Sequence, residues 1–416
     1  MNKSPWKTVR LEKVAEIQTG ISKSASRKLT DPIEVPYLRV ANVQDGHLDL
    51  SVIKHISIER KNLERYTLKT GDVLLTEGGD FDKLGRGTVW NNEIESCVHQ
   101  NHVFSVRTDA SVLLPEFLSI LTASSYGKRY FISCSKQSTN LASINSTQLK
   151  QFPVLLPSLN VQKSIVSASK LWDNAIEKTE ALIAAKEKQF EWLCQTYFKP
   201  GNSTNSGWEK HKIATFVTVR NEREVPSDEV PLYSLTIENG VTAKTDRYNR
   251  EFLVIDKDGK KYKVVHPKDI VFNPANLRWG AIARSEAEHK VVLSPIYEVL
   301  KVDENKIDSD FLTHALTCSR QIAIFATMVE GTLVERMAVK IDTFLSCYIH
   351  VPSSKEEQKN IAHVLNLSKQ EISLLKKTLE QYRSQKCGLM QKLLTGEWQV
   401  SSSQHLSEET YLEASA

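Results

Sequence analysis

Two stretches of this chain say the same thing twice. Pro157-Ser158-Leu159 stands ahead of Gln162 and Ile165, and Pro352-Ser353 stands ahead of Gln358 and Ile361, with both later residues 196 positions on. Upstream, Leu68-Lys69-Thr70-Gly71-Asp72-Val73-Leu74 matches Val265-His266-Pro267-Lys268-Asp269-Ile270-Val271 at an offset of 197, and Pro115-Glu116-Phe117-Leu118 matches Ser309-Asp310-Phe311-Leu312 at 194. Trp6-Lys7 and Trp208-Glu209-Lys210 open the two copies. A duplicated unit must build one fold twice, each copy around its own core, so a single large architecture spread over the 416 residues is excluded.

Each copy has the same internal order. About 150 residues of short β-branched and aromatic runs come first, and a long helical pattern follows. Strands are expected at Pro36–Val43, Asp72–Thr76, Val98–Val106 and Gln151–Leu156, then at Pro231–Ile237, Tyr262–Val265, Asp269–Asn273 and Val292–Val299. Helical pieces are expected at Pro115–Thr122 and Asp310–Ala326, and a loop with four glycines at Gly78–Gly87.

The helical stretches alternate spacings of four and three. Ile165, Ser169, Trp172, Ile176, Thr179, Ile183, Lys186, Phe190, Leu193 and Tyr197 form the first series. Ile361, Leu365, Ser368, Ile372, Leu375, Leu379, Tyr382, Lys386, Leu389 and Leu393 form the second, in the same register. This is a coiled-coil seam, and helices this long are expected to pack on each other. Ser354 and Glu357 have capping-box spacing, Asn160 can serve as an N-cap, and Gly201 and Gly396 supply stops.

Composition matters mainly for what it removes. No apolar stretch approaches the ~18 residues of a membrane span, and no apolar segment follows Lys3, so neither a membrane protein nor a secreted one is expected. The six cysteines form no CxxC pair, which argues for scattered thiols in the cytoplasm rather than a zinc or disulfide framework. Net charge is +4, and residues 1–160 hold 20 basic against 16 acidic side chains, so nucleic-acid binding must be argued from pattern or shared with partners. No phosphate-binding loop, H-E-x-x-H or G-x-S-x-G motif occurs. His99-Gln100-Asn101-His102 lacks a supporting metal ligand, and Asn273-Pro274-Ala275-Asn276 reads as a strand-end turn. The chain is therefore expected to be non-catalytic and to hold no metal.

Basic and aromatic side chains interleave at Lys244–Arg250, Lys260–Lys263 and Arg278-Trp279, with Arg284 beyond. Arg, Asn and Gln read base edges, whereas Lys mostly holds phosphates. The candidate DNA contacts are Lys83, Arg86, Gln100, Asn101 and Asn140 in the first copy. In the second they are Arg247, Tyr248, Lys261, Arg278 and Arg284.

On these features the chain resembles the specificity subunits of type I restriction-modification enzymes. The resemblance rests on the two helix starts at Pro157–Ile165 and Pro352–Ile361, on Gly71-Asp72-Val73-Leu74, on Glu77–Gly87, on Gln100-Asn101-His102 and on Lys392-Leu393-Leu394-Thr395-Gly396. It covers residues 6–398, with Val161 in place of the usual glutamate. It implies an α+β chain of two tandem mixed α/β target-recognition domains, each followed by a long helix, the helices pairing as an antiparallel coiled coil. The boundaries are 1–160 and 201–355 for the domains, 161–200 and 356–398 for the helices, and 399–416 for a flexible tail. The helix-pair seam is Ile165, Trp172, Ile176, Ile183 and Phe190 against Ile361, Leu365, Ile372, Leu379 and Leu389. The resemblance further implies recognition of a bipartite asymmetric site in double-stranded DNA. Two methyltransferase subunits would bring S-adenosylmethionine, and two motor-nuclease subunits ATP and Mg. Other readings are a specificity chain serving a fused restriction–methyltransferase system, a stand-alone DNA-binding regulator, and a duplicated enzyme with an unrecognised site.

Overall fold

The computed structural model of the chain describes residues 6–22, 29–79, 84–137, 142–199, 207–243, 260–331 and 337–399. It separates into two compact units, residues 1–179 with 378–416, and residues 180–377. Each unit thus takes part of both long helices, and the helices are not bodies of their own.

In the first unit an antiparallel sheet runs in the order Ala15–Thr19, Val103–Thr108, Val73–Thr76, Gly87–Val89. In the second the order is Val217–Val219, Glu298–Val302, Ile270–Phe272, Ile282–Arg284, the same sheet rebuilt. The central strand is buried on both faces, and its side chains alternate between two cores. Val73 and Leu75 join Phe104, Val106, Phe117 and Phe131, while Leu74 joins Leu38, Trp90 and Val103. Ile270 and Phe272 join Leu300, Phe311 and Phe344, while Val271 joins Val265, Val291 and Val299. A two-stranded ribbon closes each unit, Lys7–Arg10 on Pro153–Leu156 and Trp208–Lys212 on Tyr348–Pro352.

Some elements differ from the pattern expected of the sequence. The strand at Pro36–Val43 runs instead at Pro32–Leu38, because Asn42 turns the chain by accepting from Arg39 N through Oδ1 at 2.9 Å. Val98–Val106 and Val292–Val299 each break in the middle, at a turn around Gln100–His102 and another at Ser294–Tyr297. The Asp310–Ala326 piece is two helices, Ser309–Thr317 and Ser319–Thr327, divided by extended Cys318.

The long helices run from Leu159 to Tyr197 and from Lys355 to Thr395. Ser354 Oγ accepts from Glu357 N at 3.3 Å, but Glu357 gives its carboxylate to Trp208 Nε1, so only half of the capping box forms. Asn160 lies inside the first turn and is not its cap. Each helix start is instead pinned by a buried glutamine. Gln162 accepts from Leu114 N at 2.8 Å and donates to the Val112 and Pro157 carbonyls; Gln358 accepts from Asp308 N at 2.8 Å and donates to the Pro352 carbonyl.

The seam positions face inward in both units. In the first, Ile165 shares a core with Met390 and Leu393, Trp172 and Tyr382 meet edge-on at 5.7 Å, and Lys386 bonds Asp173. In the second, Lys186 meets Glu371 at 2.8 Å, the Lys369 ammonium lies 5.6 Å from the Phe190 ring centre, and Phe198 shares a core with Ile361 and Leu365. As one helix rises in number its partner falls, so the pairing is antiparallel in each unit. The two charged seam residues, Lys186 and Lys386, are both ion-paired.

Candidate nucleic-acid interface

The strand register brings four of the sequence candidates, Arg86, Gln100, Asn101 and Arg278, to the same end of the sheet in their own units. Thr76 pairs with Val103 and Leu75 with Gly87, so the loop after Thr76 and the Gln100–His102 turn meet at the same edge of the first unit. Phe272 pairs with Glu298 and Ile282, which sets the Asn273–Ala281 loop and the Ser294–Tyr297 turn at the equivalent edge of the second.

In the first unit Arg86 is half-buried, its carbonyl accepts from Thr76 N at 2.8 Å, and its Nε is buried without a hydrogen-bond partner. Gln100 accepts from Val40 N at 3.4 Å, and its own N–H donates to the Leu38 carbonyl. Asn101 Nδ2 lies 3.3 Å from His102 Nε2, and His102 Nδ1 bonds Glu77. His99 points the other way: it is buried, its Nδ1 lies 2.7 Å from the Val103 carbonyl, and burial holds its pKa below the ordinary value. It is a satisfied interior histidine. Among the described residues no group of His, Cys, Asp and Glu could hold a metal ion.

In the second unit Arg278 stacks its guanidinium 4.0 Å from the centre of the Trp279 ring, and Trp279 is 58% exposed. The Asn273-Pro274-Ala275-Asn276 segment is a strand-end turn, with Asn273 Oδ1 accepting from Ala275 N at 3.1 Å and Ala281 N donating to the Asn276 carbonyl at 3.2 Å. Lys261 is exposed, two residues before the buried Lys263 that pairs with Leu293 in register and with Glu298 through its ammonium at 2.6 Å. Arg284 lies elsewhere. It pairs with Ile270 at the opposite end of the strand, and its guanidinium meets Asp310 at 2.6 Å and Glu286 at 2.9 Å. Lys83, Asn140, Arg247 and Tyr248 lie outside the described residues.

Sequence reasoning passed over Glu77, His102 and Ile296 as candidates. The signal was available in the duplication: the two expected strands that break do so at equivalent turns, and these turns form the edge.

Residues 3–186 match the family model described as the type I restriction modification DNA specificity domain. Over that span the chain is similar to this family. A chain assigned as the type I restriction enzyme MjaX specificity subunit of Methanocaldococcus jannaschii is 24% identical over 412 residues, covering 95% of this chain and 94% of that one. The EcoKI specificity subunit of Escherichia coli K12 is 25% identical over 166 residues, 39% of this chain and 35% of that one. Among solved structures, the S subunit from M. genitalium has a TM-score of 0.55 at 13% identity, covering 94% of this chain and 97% of its own. A chain from a structure of type I complex assembly scores 0.61 at 15% identity and covers 96% and 100%. At these identities the structural likeness is one of fold. The specificity-domain match lies on the first copy, and the shared sheet order extends that fold to the second.

Proposed function

We propose that the chain is the DNA sequence-specificity subunit of a type I restriction-modification complex, each unit reading one half of a bipartite asymmetric site. The observation that carries this is the equivalent sheet edge, built on the same strand order in both units but furnished differently. Arg86, Gln100 and Asn101 stand in one, Arg278 and Trp279 in the other, with Lys261 nearby. One scaffold with two sets of edge side chains suits two different base sequences.

The chain supplies recognition. Its proposed partners are double-stranded DNA, two methyltransferase subunits bringing S-adenosylmethionine, and two motor-nuclease subunits bringing ATP and Mg. Partners that enclose the duplex would provide much of the phosphate neutralisation, in keeping with a net charge of only +4. No described helix is long and apolar enough to cross a membrane, and a cytoplasmic site of action belongs to the same proposal.

The test is an exchange. Residues 201–355 are replaced by those of a relative, and the methylated motif is mapped by sequencing DNA from cells that also express the methyltransferase subunit. One half of the motif should change and the other persist. Change in both halves, or methylation without any bipartite motif, overturns the reading.

A further inference from the structure

Three side chains stand in a row at the sheet edge of the first unit: Glu77, His102 and Asn101. Glu77 bonds His102 Nδ1, and Asn101 Nδ2 faces His102 Nε2 at 3.3 Å. Their chemistry sets the direction of the row. An ionised carboxylate has no hydrogen to give, so Nδ1 carries the proton and donates. Asn101 turns Nδ2, which can only donate, toward Nε2, so Nε2 is the acceptor of this pair.

The main chain holds both ends of this row. Asn101 N donates to the Ile21 carbonyl at 3.1 Å, and Glu77 N donates to the His102 carbonyl at 2.9 Å. With one N–H committed, Asn101 has Oδ1 and a single N–H left to present. One acceptor beside one donor complements the N6–H and N7 of adenine in the major groove. Guanine offers two acceptors there, and Oδ1 would face one of them. The equivalent positions of the second unit hold no such row. Strand register equates Glu77 with Pro274, Asn101 with Pro295 and His102 with Ile296, none of which can form such a row.

We infer that Asn101 reads one adenine of the first half-site, and that His102 and Glu77 are positioning residues that fix its amide for that base. This rests on the proposed function and adds a base to it.

The experiment maps the methylated motif for the wild type, N101A and H102A in cells expressing the methyltransferase subunit. The half that survives exchange of residues 201–355 is taken as the first. N101A should lose preference among all four bases at one A·T pair of that half. H102A frees the amide to turn both hydrogens toward guanine, so A and G should be accepted at that same pair. The preference for A over G should fall by about tenfold or more. The second half-site should remain intact in both variants. If the wild type shows no bipartite motif, the proposed function itself fails. If it shows one, and the variants leave it unchanged, relax different positions or lower methylation evenly at every site, the adenine assignment is overturned. Should H102A abolish methylation, N101A alone decides on the same terms.

Discussion

Asp72 and Asp269 occupy the same place in the two units, one residue ahead of the buried central strand. Each accepts, at 2.9 Å, from the main-chain N–H three residues back, and each is gripped by an arginine through two bonds. The arginines come from different strands. Arg107 stands on Val103–Thr108, next to Asp72 in register, whereas Arg220 follows Val217–Val219 and reaches across the strand between. Register equates Arg220 with Gln18, and Lys301 with Arg107. The duplicated units kept a buried carboxylate and its guanidinium but changed which strand provides the guanidinium. An unpaired buried charge costs several kcal/mol, so the pairing is constrained while its source is not. At the sheet edge even the pairing is free: Glu77, Asn101 and His102 face Pro274, Pro295 and Ile296 across the repeat.

The largest effect should come from breaking that grip. R220A strands Asp269 and should lower stability by about 3–5 kcal/mol. R107A should lose less, because the Arg107 side chain is 37% exposed against 18% for Arg220. The comparison also predicts a rescue. Q18R/R107K gives the first unit the residues of the second and should recover most of what R107A loses, as read from urea unfolding midpoints. A double variant no more stable than R107A would show that the source strand matters after all.

A second contrast is smaller. His314 lies on the Ser309–Thr317 helix at the position of Ile120 in the first unit. It is 3% exposed; Nε2 bonds Asn366 Oδ1 at 2.7 Å, and Nδ1 is buried without a partner. Burial, helped by the Lys369 ammonium, brings its pKa down to about 4. The unfolded chain therefore takes up this proton near pH 6.5, and the folded one only near pH 4. Stability from this group is whole above pH 6.5 and is lost as the pH falls to 4, by about 3 kcal/mol. H314L should remove that slope from the second unit, measured by hydrogen exchange of the Ser309–Thr317 amides at pH 7 and pH 4. The first unit should keep the acid sensitivity of its own buried His99, whose pKa burial also lowers. An H314L slope equal to the wild type would sink this account.

How much of this was legible in the sequence follows from what each feature depends on. The duplication, the seam and the central strands depend on local pattern, and the residue order displays them. Gln162 and Gln358 stood out as repeated residues, but their bonds to Leu114 and Asp308 join segments about 50 residues apart, which no local period records. The broken strands were missed because strand-forming residues flank Gln100–His102 and Ser294–Tyr297 on both sides, whereas each break is a turn closed by a main-chain bond, Val103 N to the Gln100 carbonyl and Tyr297 N to the Ser294 carbonyl. Arg284 was legible as a basic residue near an aromatic loop, but its ion pairs with Glu286 and Asp310 required the folded chain.

The smallest expected effect separates two of the basic candidates. Lys261 is exposed near the sheet edge, and Arg284 is 14% exposed with its charge given to two carboxylates. A lysine that neutralises one phosphate releases about one counterion on binding, so losing it weakens all sequences alike and flattens the salt dependence. K261A should therefore reduce the slope of log affinity against log salt by about 0.9 and leave the methylated motif unchanged. R284A should leave the slope alone and instead lower the unfolding midpoint of the second unit, because Asp310 would lose its partner. Titrations of the assembled methyltransferase complex with specific and unrelated duplexes, across a range of salt, read both. A slope change in R284A rather than K261A would place the phosphate contacts at the other end of the strand and move the proposed DNA face with them.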